Sequence, residues 1–253
     1  MSHATVGGRA AAAAILARLT IVENERQRFA LISGLLHCAR PCVVSFLNQH
    51  ALNLAWSKPE FARSLQSADV VLRDGVGVEI CLRVLGRAPG MNMNGTDLIP
   101  QIAHAFAGRR VAFFGTAEPW TSRAVAALSA IGCKVVASMD GFQPIEDYLA
   151  SMTRSPVDLL ILGMGIPKQE HVAASLATMS TAPIVIVNGG AIGDFLAQRF
   201  ARAPTWLRRA KLEWVFRLLN EPRRMFRRYV SGGFVFLWRI FLLYLYGPKI
   251  APK

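Results

Sequence analysis

Short apolar runs recur along the chain at residues 42–47, 70–72, 111–114, 134–138, 159–162 and 184–187, each closed by glycine or polar residues. They are rich in Val and Ile and lack strict alternation, which predicts strands buried on both faces. Between them the apolar spacing turns helical. Thr96 is placed to cap a helix carrying Leu98, Ile102 and Phe106 and ended by Gly108. A second helix runs from about Trp120 through Val125 and Leu128 to Gly132, and a third follows Pro167 with Val172, Leu176 and Met179 on one side. Strand and helix alternate six times, which predicts an α/β fold, a parallel sheet wound on both faces.

The pattern changes at Pro204. Trp206, Leu207, Trp214, Val215, Leu218 and Leu219 are interleaved with Arg208, Arg209, Lys211, Arg217, Arg223, Arg224, Arg227 and Arg228. Residues 230–246 are then strongly apolar but hold Arg239, and 17 residues around a charge fall short of the ~20 of a membrane span. The chain thus divides into a body, 1–198, and an appendage, 199–253. Basic residues beside Trp, Phe and Tyr fit helices lying in the headgroup region of an anionic membrane. The alternatives are packing on the body or on another subunit, as in a homo-oligomer. The stretch is more apolar than a surface that tracks nucleic-acid phosphates, so no nucleic-acid partner is expected.

Composition sharpens this division. With 53% hydrophobic and 18% charged residues the chain is no disordered polymer. Residues 199–253 hold 13 of the 29 Lys and Arg but 2 of the 16 Asp and Glu, so they carry +11 of the net +13. A near-neutral body with a cationic tail points to an anionic partner. Cys38, Cys42, Cys81 and Cys133 form no Cys-x-x-Cys pair, which reads as buried thiols in a reduced cytoplasm. The apolar N-terminal stretch, 10–16, lacks a basic start and is soon interrupted by Arg18 and Glu23, so it does not read as a signal peptide. No His pair has i, i+4 metal spacing and no Asp-x-Asp doublet is present, so neither a metal nor a cofactor is expected.

In an open parallel sheet, ligands gather at the carboxyl ends of the strands. There the sequence places Asn48, Gln49 and His50; Arg73, Asp74, Gly75 and Gly77; Gly115 and Thr116; Asp140 and Gly141; Gly163 to Glu170; and Asn188, Gly189 and Gly190. Glycines let backbone N–H groups approach phosphates, and helix N-termini favour negative charge. No segment is decisive alone: Gly163-Met-Gly165 is not the dinucleotide fingerprint, Asp74-Gly75 also reads as a plain turn, and Lys168 and Glu170 as a solvated helix start.

Taken together these segments resemble the WecG/TagA/CpsF family of bacterial glycosyltransferases. The matching pieces are Asn48, Ala68 to Gly77, Asn94-Gly-Thr-Asp97, Phe114 to Ala117, Asp140-Gly-Phe142, Leu162 to Glu170, Gly189-Gly-Ala191, Arg202-Ala-Pro204, Glu213-Trp214 and Glu221-Pro-Arg223, in order over about residues 40–230. The resemblance implies a Rossmann-like sheet and an inverting transfer from a UDP-sugar to a polyprenyl-diphosphate-linked saccharide. It further implies a peripheral protein at the cytoplasmic face of the cell membrane. Asp74 matches the family's base, and Asn48 and Gln169 match active-site positions that can hydrogen-bond the sugar. Gly115, Thr116, Asp140, Gly163, Gly165 and Gly189 are the rim candidates for holding the donor. Arg208, Arg217 and Arg224 are the candidates for neutralising the departing diphosphate. Two positions depart from the family: Phe46 stands where Thr is usual and Asn92 where Arg is usual. They point to a plain hexose, glucose, moved in exopolysaccharide synthesis. N-acetylmannosaminyl transfer and a non-catalytic UDP-sugar or lipid-linked-sugar binding module are the alternatives.

Overall fold

The protein, here a computed structural model, is described for residues 3–153, 156–220, 222 and 226–247. The chain runs α1 (His3–Ala17), β1 (Leu19–Thr20), α2 (Glu25–Leu35), β2 (Cys42–Leu47), α3 (Gln49–Ser57), α4 (Pro59–Gln66), β3 (Val70–Arg73) and α5 (Val76–Val84). It continues through α6 (Gly95–Ala105), β4 (Arg110–Gly115), α7 (Trp120–Ala130), β5 (Lys134–Met139), α8 (Ile145–Met152), β6 (Leu159–Gly163), α9 (Lys168–Met179), β7 (Val185–Asn188) and α10 (Ile192–Leu196). The tail holds α11 (Thr205–Arg209), α12 (Glu213–Asn220), a π-helical turn (Arg227–Ser231) and a last helix, Gly232–Tyr246.

The seven strands form one sheet in the order β1-β3-β2-β7-β6-β4-β5, and every pairing is parallel. Alternate strand residues feed two cores. Val43, Leu47, Ala112, Phe114, Leu160, Leu162 and Ile186 face α1, α3, α4, α5, α8, α9 and the last helix. Val44, Phe46, Val111, Phe113, Ile161, Val185 and Val187 face α2, α6, α7 and α10. Both faces of the inner strands are therefore dry, as their unbroken apolar runs require. β5 departs from that expectation. It is an edge strand, and its Lys134, Val136 and Ser138 are exposed while the intervening residues are half-buried. The two-residue β1 at the opposite edge carries too short a pattern to be seen in sequence.

Among the described residues, three helices begin on asparagine. Asn24, Asn48 and Asn94 have extended backbones, and each side chain accepts the N–H three residues on. The helix expected to start at Thr96 therefore starts earlier, because Asn94 already accepts the Asp97 N–H at 2.9 Å.

The last helix lies along the body. Its Phe236, Ile240, Leu242 and Leu243 join the core beneath α3. Arg239 donates to the Asn53 carbonyl at 2.6 Å and to Asn53 Oδ1 at 3.1 Å, and its guanidinium lies 5.3 Å from the Trp56 ring. The charge that interrupts the apolar stretch is thus turned inward. Phe234, Leu237, Trp238, Phe241, Tyr244 and Leu245 are left exposed on the other side. With the π-helical turn, the helical stretch Tyr229–Tyr246 is long and apolar enough to cross a membrane by length and composition.

Candidate active site

A cleft of about 1070 Å³ opens at the carboxyl ends of β2, β3, β4, β6 and β7, walled on its far side by tail residues. Its centre is built by register. Leu47 pairs with Arg73 across β2 and β3, so the next residues, Asn48 and Asp74, leave the sheet side by side. Asn48 Oδ1 caps α3 through the Ala51 N–H at 3.0 Å, which turns Nδ2 toward Asp74 Oδ2 at 3.3 Å. The Asp74 loop is held from both sides. Arg73 is buried and donates to the carbonyls of Pro89, Gly75 and Gly90. Asn92 Oδ1 accepts the Gly75 N–H at 2.8 Å. Asn92, one of the two positions singled out in the sequence, thus pins the backbone beside Asp74. Phe46, the other such position, lines the cleft and packs beside Gly95.

Gly163, Gly165 and Gly189 line the cleft, as does Thr116. Thr116 donates to Asp194 Oδ1 at 2.6 Å, and Asp194 in turn pairs with Arg199 at 3.2 Å. Gly115 does not line it. A Cβ at Gly115 would stand 2.5 Å from Gly163 C and Cα, so this glycine lets β4 and β6 approach. Gly115→Ala is expected to cost about 3 kcal/mol of stability, read by urea unfolding, since backbone and not a flexible side chain must give way. Asp140 also lies outside the lining. Its carboxylate accepts from Phe142 N at 2.8 Å and Gln143 Nε2 at 2.7 Å, shaping the loop that brings Gly141 and Phe142 to the cleft. Lys168 is spent on the same loop, donating to Gly141 O at 3.0 Å.

Gln169 lines the cleft yet is buried. Its Oε1 accepts the Gly190 N–H at 2.9 Å and its Nε2 donates to Glu170 Oε1 at 2.8 Å. Glu170 is no solvated helix start: it is 2% exposed, Oε2 has no partner, and burial pushes its pKa up to about 8.

Of the tail arginines expected here, Arg208 and Arg217 line the cleft, and Arg224 lies outside the described residues. Arg217 pairs with Glu213 at 3.2 Å and stacks 5.0 Å from the Phe195 ring. Arg199, Arg209 and Lys211 reach the same cleft. Two more body carboxylates meet the tail, and nothing in the sequence links either to it: Asp97, there only the end of Asn94-Gly-Thr-Asp97, and Glu79. Asp97 pairs with Arg202 and stands 3.9 Å from Arg208, while Glu79 accepts from Lys211 at 2.6 Å. Burial alone would raise both carboxyl pKa values. Arg202 and Asn94 outweigh it at Asp97, and Lys211, Arg73 and Arg83 at Glu79, so both lie below the ordinary range. The one sequence signal for Glu79 is a lone carboxylate in the apolar run of α5. Among the described residues no three His, Cys, Asp or Glu side chains gather as metal ligands do.

A family model described as "Glycosyl transferase WecG/TagA/CpsF family" matches residues 18–249. The N-acetylglucosaminyldiphosphoundecaprenol N-acetyl-beta-D-mannosaminyltransferase of Bacillus spizizenii is 26% identical over 185 residues, which cover 70% of each chain. The Bacillus subtilis protein of the same name is 24% identical over 187 residues, 72% of this chain and 73% of its own.

Proposed function

The chain belongs to the WecG/TagA/CpsF family of glycosyl transferases, and from that premise we propose that it moves a sugar from a UDP-sugar to a polyprenyl-diphosphate-linked saccharide, with inversion. The observation that carries this reading is the placement of Asp74 and Asn48 in one cleft with the cations of the tail. An acceptor hydroxyl attacks the anomeric carbon, its proton passes to the Asp74 carboxylate, and the bond to UDP breaks with its electron pair on the diphosphate. Asn48 holds Asp74, and Arg208 and Arg217 take up charge on the leaving group. Gln169, with both ends of its amide engaged, keeps the Gly189-Gly190 turn in place beside the donor.

The named activity of the two relatives favours N-acetylmannosamine as the donated sugar over the glucose expected from Phe46 and Asn92. The bond from Asn92 to Gly75 also weakens that expectation, since the position serves the Asp74 loop. A hexose remains the second reading on the strength of Phe46, whose ring adds bulk to the cleft wall. Purified protein given a lipid-linked N-acetylglucosamine acceptor should consume UDP-N-acetylmannosamine faster than UDP-glucose, read by mass spectrometry of the product. Faster use of UDP-glucose would reverse the order, and no transfer from any donor would favour a binding module.

The exposed aromatic face of the last helix, flanked by a basic segment, supports a peripheral seat on the inner, anionic membrane surface. Deleting everything after Gln198 should release the protein from anionic vesicles, but it also uncovers the core around Phe236. Replacing Trp238 and Phe241 by Ser leaves that core alone. It is expected to weaken sedimentation with such vesicles by roughly ten-fold or more, given ~1.5–3 kcal/mol per large side chain buried.

A further inference from the structure

The stretch from Arg199 to Asn220 is held over the cleft with almost no core of its own: Ala203 is its one buried residue. Helix α11 has five residues and α12 eight, and neither buries a side chain. Helices that short do not persist in water unaided. At its start the segment meets the body through Asp194 on Arg199 and through Phe195, which packs on Phe200 and under Arg217, and beyond that what crosses is charge. Asp97 stands in the first turn of α6, where the helix dipole favours a carboxylate. Its Oδ2 is taken by Asn94 Nδ2 at 2.8 Å, which leaves Oδ1 for Arg202, with Arg208 3.9 Å away. Glu79 is 7% exposed and receives Lys211 at 2.6 Å, while Arg73 meets its other oxygen at 3.4 Å. Lys211 has φ +60, a left-handed conformation that a non-glycine residue keeps only when its surroundings impose it. Between these two attachments the chain presents Arg208 and Arg209 to the cleft.

We propose that Asp97 and Glu79 are positioning residues: they clamp the tail at Arg202 and Lys211 and so hold the Arg208–Arg209 pair where a nucleoside diphosphate binds. Asp97 lies outside the cleft lining, and Glu79, which lines it, has its charge taken up by Lys211, Arg73 and Arg83. They act through the cations they hold. The assignment of the ligand rests on the donor reading above; the clamp itself does not.

Asp97→Asn and Arg202→Gln test the first clamp in the full chain, with the exchanged pair Asp97→Arg/Arg202→Asp as rescue. Glu79 is left unmutated because it also serves buried Arg73. Each single variant should be cut by trypsin within residues 208–211 roughly ten-fold faster than the parent, and should bind UDP roughly ten-fold more weakly by calorimetry, in line with loss of one charge-assisted contact. The exchanged pair should recover most of both. Parental cleavage rates in the single variants, or an exchanged pair that folds yet is cut as fast as they are, would overturn the clamp. If the exchanged pair does not fold by circular dichroism, Lys211→Met on the second clamp carries the same expectation for cleavage after Arg208 and Arg209, the sites it leaves intact, and the same refutation. Absence of UDP binding in the parent protein would count against the donor reading alone, and the cleavage rates would still decide the clamp.

Discussion

Asp74→Asn should lower kcat by about 10²–10⁴-fold, the usual contribution of a positioned base. Both parts of its setting favour a clean result. The substitution keeps size and shape, and its amide oxygen can still accept from Asn48 Nδ2, as Asp74 Oδ2 does at 3.3 Å. The loop is meanwhile held by Arg73 and by Asn92, neither of which bonds to the Asp74 carboxylate. Donor binding should therefore persist while proton removal fails. The measurement is turnover at saturating donor and acceptor, with UDP affinity determined on the same preparations. A kcat within ten-fold of the parent would take the base role away from Asp74. A matching loss of UDP affinity would show that the substitution had disturbed the cleft and not the chemistry.

The second large effect concerns stability and pH. Glu170 is buried with one oxygen unpartnered, and burial raises its pKa to about 8. In the unfolded chain a glutamate ionises near 4.3. Between those values the folded protein binds a proton that the unfolded chain has released, so stability falls as pH rises from about 4.5 to about 8 and levels off above. The accumulated loss is on the order of 5 kcal/mol. Glu170→Gln retains an oxygen to accept from Gln169 Nε2 and has no proton to lose. It should be about as stable as the parent at pH 4.5 and more stable by most of that amount at pH 8.5. Urea unfolding at several pH values reads this directly, and parallel curves for the two proteins would show that Glu170 does not titrate in this window. The lowered carboxyls Asp97, Glu79 and Asp158 lose their contributions only as pH falls into the acid range, so they do not mask the trend.

Much of the fold is legible because dry strands must be apolar on both faces and leave unbroken runs such as 159–162 and 184–187. β5 carries a similar run, but its place at the sheet edge exposes Val136, and no local pattern reveals which strand will be outermost. The start of α6 is ambiguous in sequence because Asn94 and Thr96 are both competent caps, and only backbone conformation chooses Asn94 over the expected Thr96. At the site, Asn48 and Asp74 are legible as polar residues directly after strands. Asp140 follows the same rule yet serves loop shape, and Gly115, which closes β4, serves strand approach. Glu170 reads like any helix-start carboxylate until α9 is packed against the sheet.

By itself the sequence determined the layers, the order in which strands and helices alternate, and the split between a near-neutral body and a cationic tail. These depend on periodicity and composition, which are local. The tertiary structure alone decided that Arg239 turns inward onto Asn53, that Gln169 is spent on Gly190, and that Asp97 and Glu79 face cations more than a hundred positions away. A charge or amide finds its partner only after the sheet has brought distant segments together, and no spacing along the chain encodes that distance.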